Sequence, residues 1–295
     1  MPLPNNSLRY VLVYVFETDG GPYLIDAGWN TDEAYAALDA GLTQVGTAIN
    51  EVQGVLVTHI HPDHYGLAGR VRDASGAWVA LHPADAALIH DRYDAPDDLL
   101  ERVGSMLRRM GAPPDEAALL QAAAMPVRGF VQAGEPDVLV EDGDHPKVPG
   151  WDLTAIWTPG HSPGHLCFWE PRHQVMLTGD HVLPRITPNI PFHPQADGNP
   201  LGDFLTSLEK LRGYDSTEVL PAHEHRFIEI LEAIDDGLTT AWDIAARMHW
   251  SRSWDRIEGF MRRAAVAEAM AHLRELASRG VLVEEGDEPS HWRRR

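Results

Sequence analysis

Four ligand-type side chains, His59, His61, Asp63 and His64, fall within six consecutive residues of the run Thr58-His-Ile-His-Pro-Asp-His64. Imidazole and carboxylate are the donors that hold a divalent cation, so the chemistry this run points to is metal binding. The apolar stretch Val55-Leu56-Val57 precedes it and Pro62 interrupts it, the pattern of a buried strand running out into a loop. In an extended segment residues i and i+2 share a side, so His59 and His61 can reach one ion. Asp63 and His64 lie just beyond the proline, where a turn can aim them at a second point. A lone histidine is usually a surface or hydrogen-bonded core residue, and a chain with 16 histidines clusters some by chance. The H-x-H-x-D-H spacing is much more restrictive than that.

Three later segments each place a ligand type just after an apolar strand: Ile156-Trp-Thr-Pro-Gly-His161-Ser-Pro-Gly-His165, Met176-Leu-Thr-Gly-Asp180-His181 and Val219-Leu-Pro-Ala-His223. Small or kinked residues open the backbone in each. Strand ends are rigid, and several from one sheet can converge on a common point.

The elements that must position these residues are legible in outline. Tyr10–Phe16 and Tyr23–Asp26 read as strands of a hairpin joined by Asp19-Gly-Gly-Pro22. Thr31–Leu42 is alanine-rich and helical, with Asn30 or Thr31 as its cap. Val55–Val57 and Ala77–Leu81 are short strands, and the alternation indicates an α/β architecture. Residues 83–126 change to helical patterns in which Leu99, Leu100, Val103, Met106, Leu107 and Met110 form a stripe. That stripe is either an ordinary core face or the lining of a cap over the active site. Strands resume at Val138–Val140, Leu153–Trp157, Leu166–Trp169 and Val175–Leu177. A helix follows at Leu201–Leu211 and a last strand at Glu218–Leu220. From residue 226 the chain is mostly helical, with a capped start at Thr239, a strong helix over Arg262–Ala277 and a small hairpin from Gly280.

Composition bounds the function. A chain of 295 residues suits about two domains. Lys and Arg total 24 against 44 Asp and Glu, a net charge of −20, which repels nucleic-acid phosphates. The dense basic run Arg293-Arg-Arg295 reads as a frayed end. No apolar stretch reaches the ~18 residues of a membrane span. Met1-Pro-Leu-Pro-Asn-Asn has no basic n-region or signal core, which leads us to expect a cytoplasmic protein. One cysteine, Cys167, excludes an internal disulfide framework and is expected in the core.

The ordered pattern from His59 to His223 resembles the metallo-β-lactamase-fold superfamily over residues 8 to 228. The resemblance implies a four-layer αββα sandwich as a catalytic domain over 1–228, with a helical insertion at about 83–126. Position by position, it implies that one metal takes His59, His61 and His161, a second takes Asp63, His64 and His223, and Asp180 bridges them. Asp63 and His64 are also the expected catalytic residues. Asp26, in Leu24-Ile-Asp-Ala-Gly, resembles the family's early supporting aspartate. His165, His181 and Tyr65 are further candidates for contacts behind the ligands or with substrate. Members that are true β-lactamases of the best-known metal-dependent subclass use cysteine near the bridging position, so this chain looks more like the glyoxalase-II and thioesterase branch. Residues 229–295 resemble a winged-helix appendage. Glu268, Glu275, Glu284, Glu285, Asp287 and Glu288 argue against DNA binding there, and Arg262, Arg263, Arg274 and Arg279 keep the question open.

The expected function is a dinuclear hydrolase using a metal-bridging hydroxide on a thioester, ester or lactone. Its cofactors are two divalent ions, zinc first, with Mn or Fe admitted by the carboxylates. A small acyl-type substrate is the expected partner, with neither nucleic acid nor membrane. The alternative is a metal-dependent phosphodiesterase or ribonuclease, which the charge disfavours. A di-iron redox centre and a non-catalytic DNA-binding regulator fit less well, the first because His61 stands where that branch commonly carries glutamate.

Overall fold

Strand alternation builds two sheets with a shared interior. In the first, β1 (Tyr14–Phe16), β2 (Tyr23–Ile25), β3 (Gly54–Leu56), β4 (Trp78–Leu81) and β5 (Val138–Leu139) lie side by side in chain order. The β1–β2 pair is antiparallel and the later pairs are parallel. The second sheet runs β6 (Thr154–Trp157), β7 (Leu166–Glu170), β8 (Val175–Gly179), β9 (Glu218–Pro221). Here β6 and β8 are both antiparallel to β7, and β9 is parallel to β8. So β6, β8 and β9 point the same way and their C-terminal ends share one edge. These features come from a computed structural model that describes residues 1–3, 8, 10–94, 96–115, 129–132, 134–184, 187–191, 198–223, 225–248, 250, 253–286 and 289–295.

Period-2 side-chain placement then sorts the core into layers. Phe16, Tyr23, Ile25, Leu56 and Ala80 of the first sheet pack with Ala155, Leu166, Phe168 and Leu177 of the second. The opposite face of the first sheet, Leu24, Val55, Val79 and Leu81, packs against α1 (Asp32–Gln44) and α3 (Ala68–Ser75) through Ala34, Leu38, Leu42, Ala68 and Val71. The outer face of the second sheet, Ile156, Cys167 and Met176, packs with Leu211 at the end of α6 (Pro200–Leu211) and with Tyr214. This is the expected αββα sandwich. Thr31 caps α1 by accepting from the Ala34 N–H at 3.1 Å.

Three local features depart from the expectations or add to them. The first strand is shorter than Tyr10–Phe16, because Val11 and Leu12 donate to the carbonyls of Met1 and Ala222 instead of joining the ladder. Helix α3 has no apolar stripe to announce it, since its buried face is only Ala68, Gly69 and Val71. The segment after β4 is broken into α4 (Pro83–Ala86), a π-helical turn at His90–Asp94 and α5 (Pro96–Arg109). The α5 stripe is not a core face: Leu99, Leu100, Val103, Met106 and Leu107 are half-buried and Met110 is exposed. Residues 116–126 of the expected insertion lie outside the described residues.

Contacts divide the chain into two compact units, Met1–His223 and Glu224–Arg295. The second holds α7 (His225–Asp235), α8 (Ala241–Arg247), α9 (Gly259–Ser278) and an antiparallel ribbon of β10 (Leu282–Glu285) and β11 (His291–Arg294). Its core joins Ile230, Ile244, Leu273, Leu282 and the fully buried Trp292. Among the described residues no helix is long and apolar enough to cross a membrane.

Candidate metal centre

The loop leaving β3 turns into a short helix, α2 (Pro62–Tyr65), with Pro62 at its first position. This turn separates the two halves of the motif. His59 and His61 on one side gather with His161, and Asp63 and His64 on the other gather with His223. In each trio the ligand-type atoms lie within 4.8 Å of one another. His59 Nε2 and His61 Nδ1 are 2.9 Å apart. Asp180, just past β8, stands between the trios: its Oδ2 is 3.4 Å from His161 Nε2, and its Oδ1 is 3.5 Å from His64 Nε2 and 3.2 Å from His223 Nε2.

Three of the rings, those of His64, His161 and His223, are held from behind. Asp26 adopts φ 64°, rare for a residue with a side chain, and stays nearly fully buried. Its carboxylate accepts from the Thr58 N–H at 2.7 Å and from the Thr58 hydroxyl, and it binds His64 Nδ1 at 2.7 Å. That fixes the proton on Nδ1 and turns His64 Nε2 towards the cluster. His161 Nδ1 faces the Asn189 carbonyl at 2.7 Å and His223 Nδ1 faces the Tyr10 carbonyl at 2.8 Å, with the same effect. The strand ends approach closely: a Cβ on Gly179 would sit 2.8 Å from His165 Nε2 and 2.9 Å from Thr58 Cβ. Only glycine fits there.

The remaining candidates separate by their contacts. His165 is fully buried, accepts from the Asp180 N–H at 3.2 Å through Nε2 and meets the Thr158 hydroxyl at 2.9 Å through Nδ1. It therefore holds the backbone of Asp180. His181 is buried against Phe204, and its ring nitrogens have no hydrogen-bond partner among the described residues. Tyr65 is buried and exchanges hydrogen bonds with the Gly134 backbone. Cys167 is buried in the outer core, where burial pushes its thiol up to about 12.

Burial and charge divide the histidines. Burial, reinforced by neighbouring imidazoles, holds His59, His61 and His165 well below the usual imidazole range. His161 is lowered by burial despite Asp180. Burial would also lower His64 and His223, but carboxylates outweigh it. Asp26, Asp180 and Asp63 hold His64 well above its ordinary value, and Asp180 and Asp63 bring His223 to about 9. Burial opposes ionisation of Asp180 and Asp63 too, yet the same histidines keep both carboxyls below the usual range. Burial lowers His181 to about 4.

Divalent cations fit this cluster on two observations. Among the described residues, His64 Nε2, His161 Nε2 and Asp180 Oδ1 are buried with no hydrogen-bond partner, a costly arrangement for a protein alone. The 3.2–3.5 Å separations around Asp180 are also long for charge-assisted hydrogen bonds. Two donors each about 2.0–2.1 Å from a tetrahedral ion lie roughly 3.3 Å apart, which is the spacing found.

One buried carboxylate was not legible in the sequence. Asp85, in Leu81-His-Pro-Ala-Asp85, is fully buried and accepts from the Ile60 N–H, the Ser162 hydroxyl and the Gly164 N–H. An aspartate in the first turn of a helix usually faces solvent and the helix dipole, so its type and position carried no sign of this role.

The fold is an α/β sandwich that carries a histidine and aspartate cluster able to hold metal. The profile of the metallo-beta-lactamase superfamily matches residues 7–223, and the chain belongs to that superfamily. A metallo-beta-lactamase family protein from Thermus thermophilus superposes with a TM-score of 0.67 at 28% identity, covering 100% of this chain and 96% of that one. The probable metallo-hydrolase YqjP of Bacillus subtilis is 28% identical over 72% of this chain and 66% of its own length. An atrochrysone carboxyl ACP thioesterase of Paecilomyces divaricatus is 34% identical over 84 residues, 28% of this chain and 24% of that protein. The chain thus spans less than two thirds of these two curated relatives.

Proposed function

We propose that this protein is a dinuclear zinc hydrolase of the glyoxalase-II and thioesterase type, acting on a small acyl substrate with a thioester as first choice over esters and lactones. The observation that carries this reading is Asp180, whose two oxygens address both trios at 3.2–3.5 Å. His59, His61 and His161 would hold one ion, Asp63, His64 and His223 the other, with Asp180 shared. Bound divalent ions supply Lewis acidity, which lowers the pKa of water towards about 7 and polarises an acyl carbonyl.

The protein's own part is positioning and charge. Asp26 keeps His64 Nε2 directed at the centre, and His165 holds the Asp180 backbone. Asp63 and His64, which gather with His223, are the residues we assign to catalysis through the ion they would hold. The net charge of −20 favours a small substrate over a polyanion. The thioesterase resemblance supports the acyl class. The three helices and ribbon of the second unit support a winged-helix reading for it, in a structural role rather than on DNA.

Metal analysis and a thioester panel test the proposal together. Two equivalents of zinc per chain are expected, with turnover lost in His59→Ala and Asp180→Ala. Two bound metals with no activity on any thioester, ester or lactone, and cleavage of single-stranded RNA instead, would overturn it.

A further inference from the structure

Asp85 joins two loops that are about a hundred residues apart in the chain. Its Oδ2 accepts from the Ile60 N–H at 2.9 Å, and Ile60 lies between His59 and His61. The same oxygen accepts from the Ser162 hydroxyl at 2.8 Å, one residue past His161. Its Oδ1 accepts from the Gly164 N–H at 2.7 Å. The side chain is fully buried, so each of these bonds is made without water to replace it. A Cβ on Gly164 would lie 2.6–2.7 Å from Asp85, so glycine is what lets the loop close on the carboxylate. From the other side, the Tyr93 hydroxyl donates to the Ile60 carbonyl at 2.7 Å. Ile60, between the first two histidines, is thereby gripped at both its N–H and its C=O by residues of the segment that follows β4.

We propose that Asp85 is a positioning residue for the three-histidine trio, setting the affinity and geometry of that cation separately from its neighbour. Asp85 bonds the loops that carry His59, His61 and His161, whereas Asp26 binds His64 directly and reaches His59 only through Thr58. The inference builds on the dinuclear reading above, and wild-type metal content checks that reading independently.

The test is a chelator-competition titration of the full chain with Zn²⁺ and with Co²⁺, whose visible spectrum reports ligand geometry. In Asp85→Ala one metal equivalent should loosen about 10–100-fold, the range for loss of a group supporting a ligand. Its Co²⁺ bands should shift while the other equivalent keeps wild-type affinity. Asp85→Asn, which retains one acceptor oxygen, should fall between. Ser162→Ala removes a single donor and should loosen the same equivalent several-fold; it decides the matter if Asp85→Ala does not fold. Equal loosening of both equivalents, or unchanged affinity and spectrum in the folded variants, overturns the proposal. A wild-type chain that binds no metal would instead sink the dinuclear reading.

Discussion

The two trios sit side by side yet solve opposite electrostatic problems. His59, His61 and His161 are imidazoles whose burial holds off protons, so their nitrogens carry lone pairs at neutral pH. His64 and His223 face carboxylates that pull protons onto them. In the metal-free chain a proton stands where a cation would neutralise Asp63 and Asp180. One trio is therefore ready for a cation, and the other must exchange protons for it. The difference comes from where carboxylates are placed, since four of the five rings are buried and His61 is half-buried.

The largest effect should come from removing what the trios share. Asp180→Ala withdraws an oxygen from each side, so activity and binding of at least one metal should drop by more than the ~10–100-fold typical of an outer partner. Metal content by mass spectrometry, beside turnover, checks this; two tightly held equivalents would erase the comparison. Next comes Asp26→Ala, which strips His64 of its 2.7 Å partner. About 10–100-fold weaker binding is expected, concentrated in the proton-loaded trio. A uniform loss at both equivalents would mean that Asp26 acts through Thr58 and His59 as strongly as through His64.

The smallest effect is the dependence on pH. His223, at about 9 in the metal-free chain, is protonated at pH 7, and His64 is shifted in the same direction. Cation uptake there releases protons, so affinity should rise with pH until about 9. The trio of low-pKa imidazoles has no proton to release at pH 7, and its affinity should stay level. Folding carries the matching sign: stabilisation from the raised His223 is complete below its unfolded value of about 6.5 and is lost as pH rises through about 9. Calorimetry in buffers of different ionisation enthalpy counts the protons released, and Tm of the metal-free chain against pH follows the stability.

How much of this could be read from residues alone depends on how local each feature is. His59, His61, Asp63 and His64 share one turn after a buried strand, and His161, Asp180 and His223 each follow an apolar strand, so type and spacing were enough to single them out. The α/β alternation was legible because short apolar runs such as β3, buried at every position, read as strands between helices, while the four-layer sandwich followed from the family resemblance. Asp85 was not, since its meaning arises only when loops around Ile60 and Ser162 meet it in space. Helix α3 escaped because charges at Arg70, Arg72 and Asp73 break any stripe. The α5 stripe left two readings open, a core face or the lining of a cap, and the core reading does not hold, since Met110 is 60% exposed.

Cys167 has a practical consequence. The ligand set contains nitrogen and oxygen donors alone, and the one sulfhydryl in the chain is buried, with its thiol pushed up to about 12. At neutral pH it holds almost no thiolate, the form that alkylating agents and peroxides attack. A centre bridged by cysteine would be disarmed by the same reagents. With the proposed nitrogen and oxygen donors holding the metal, thiol blockers should act as inert bystanders when its chemistry is assayed in crude mixtures.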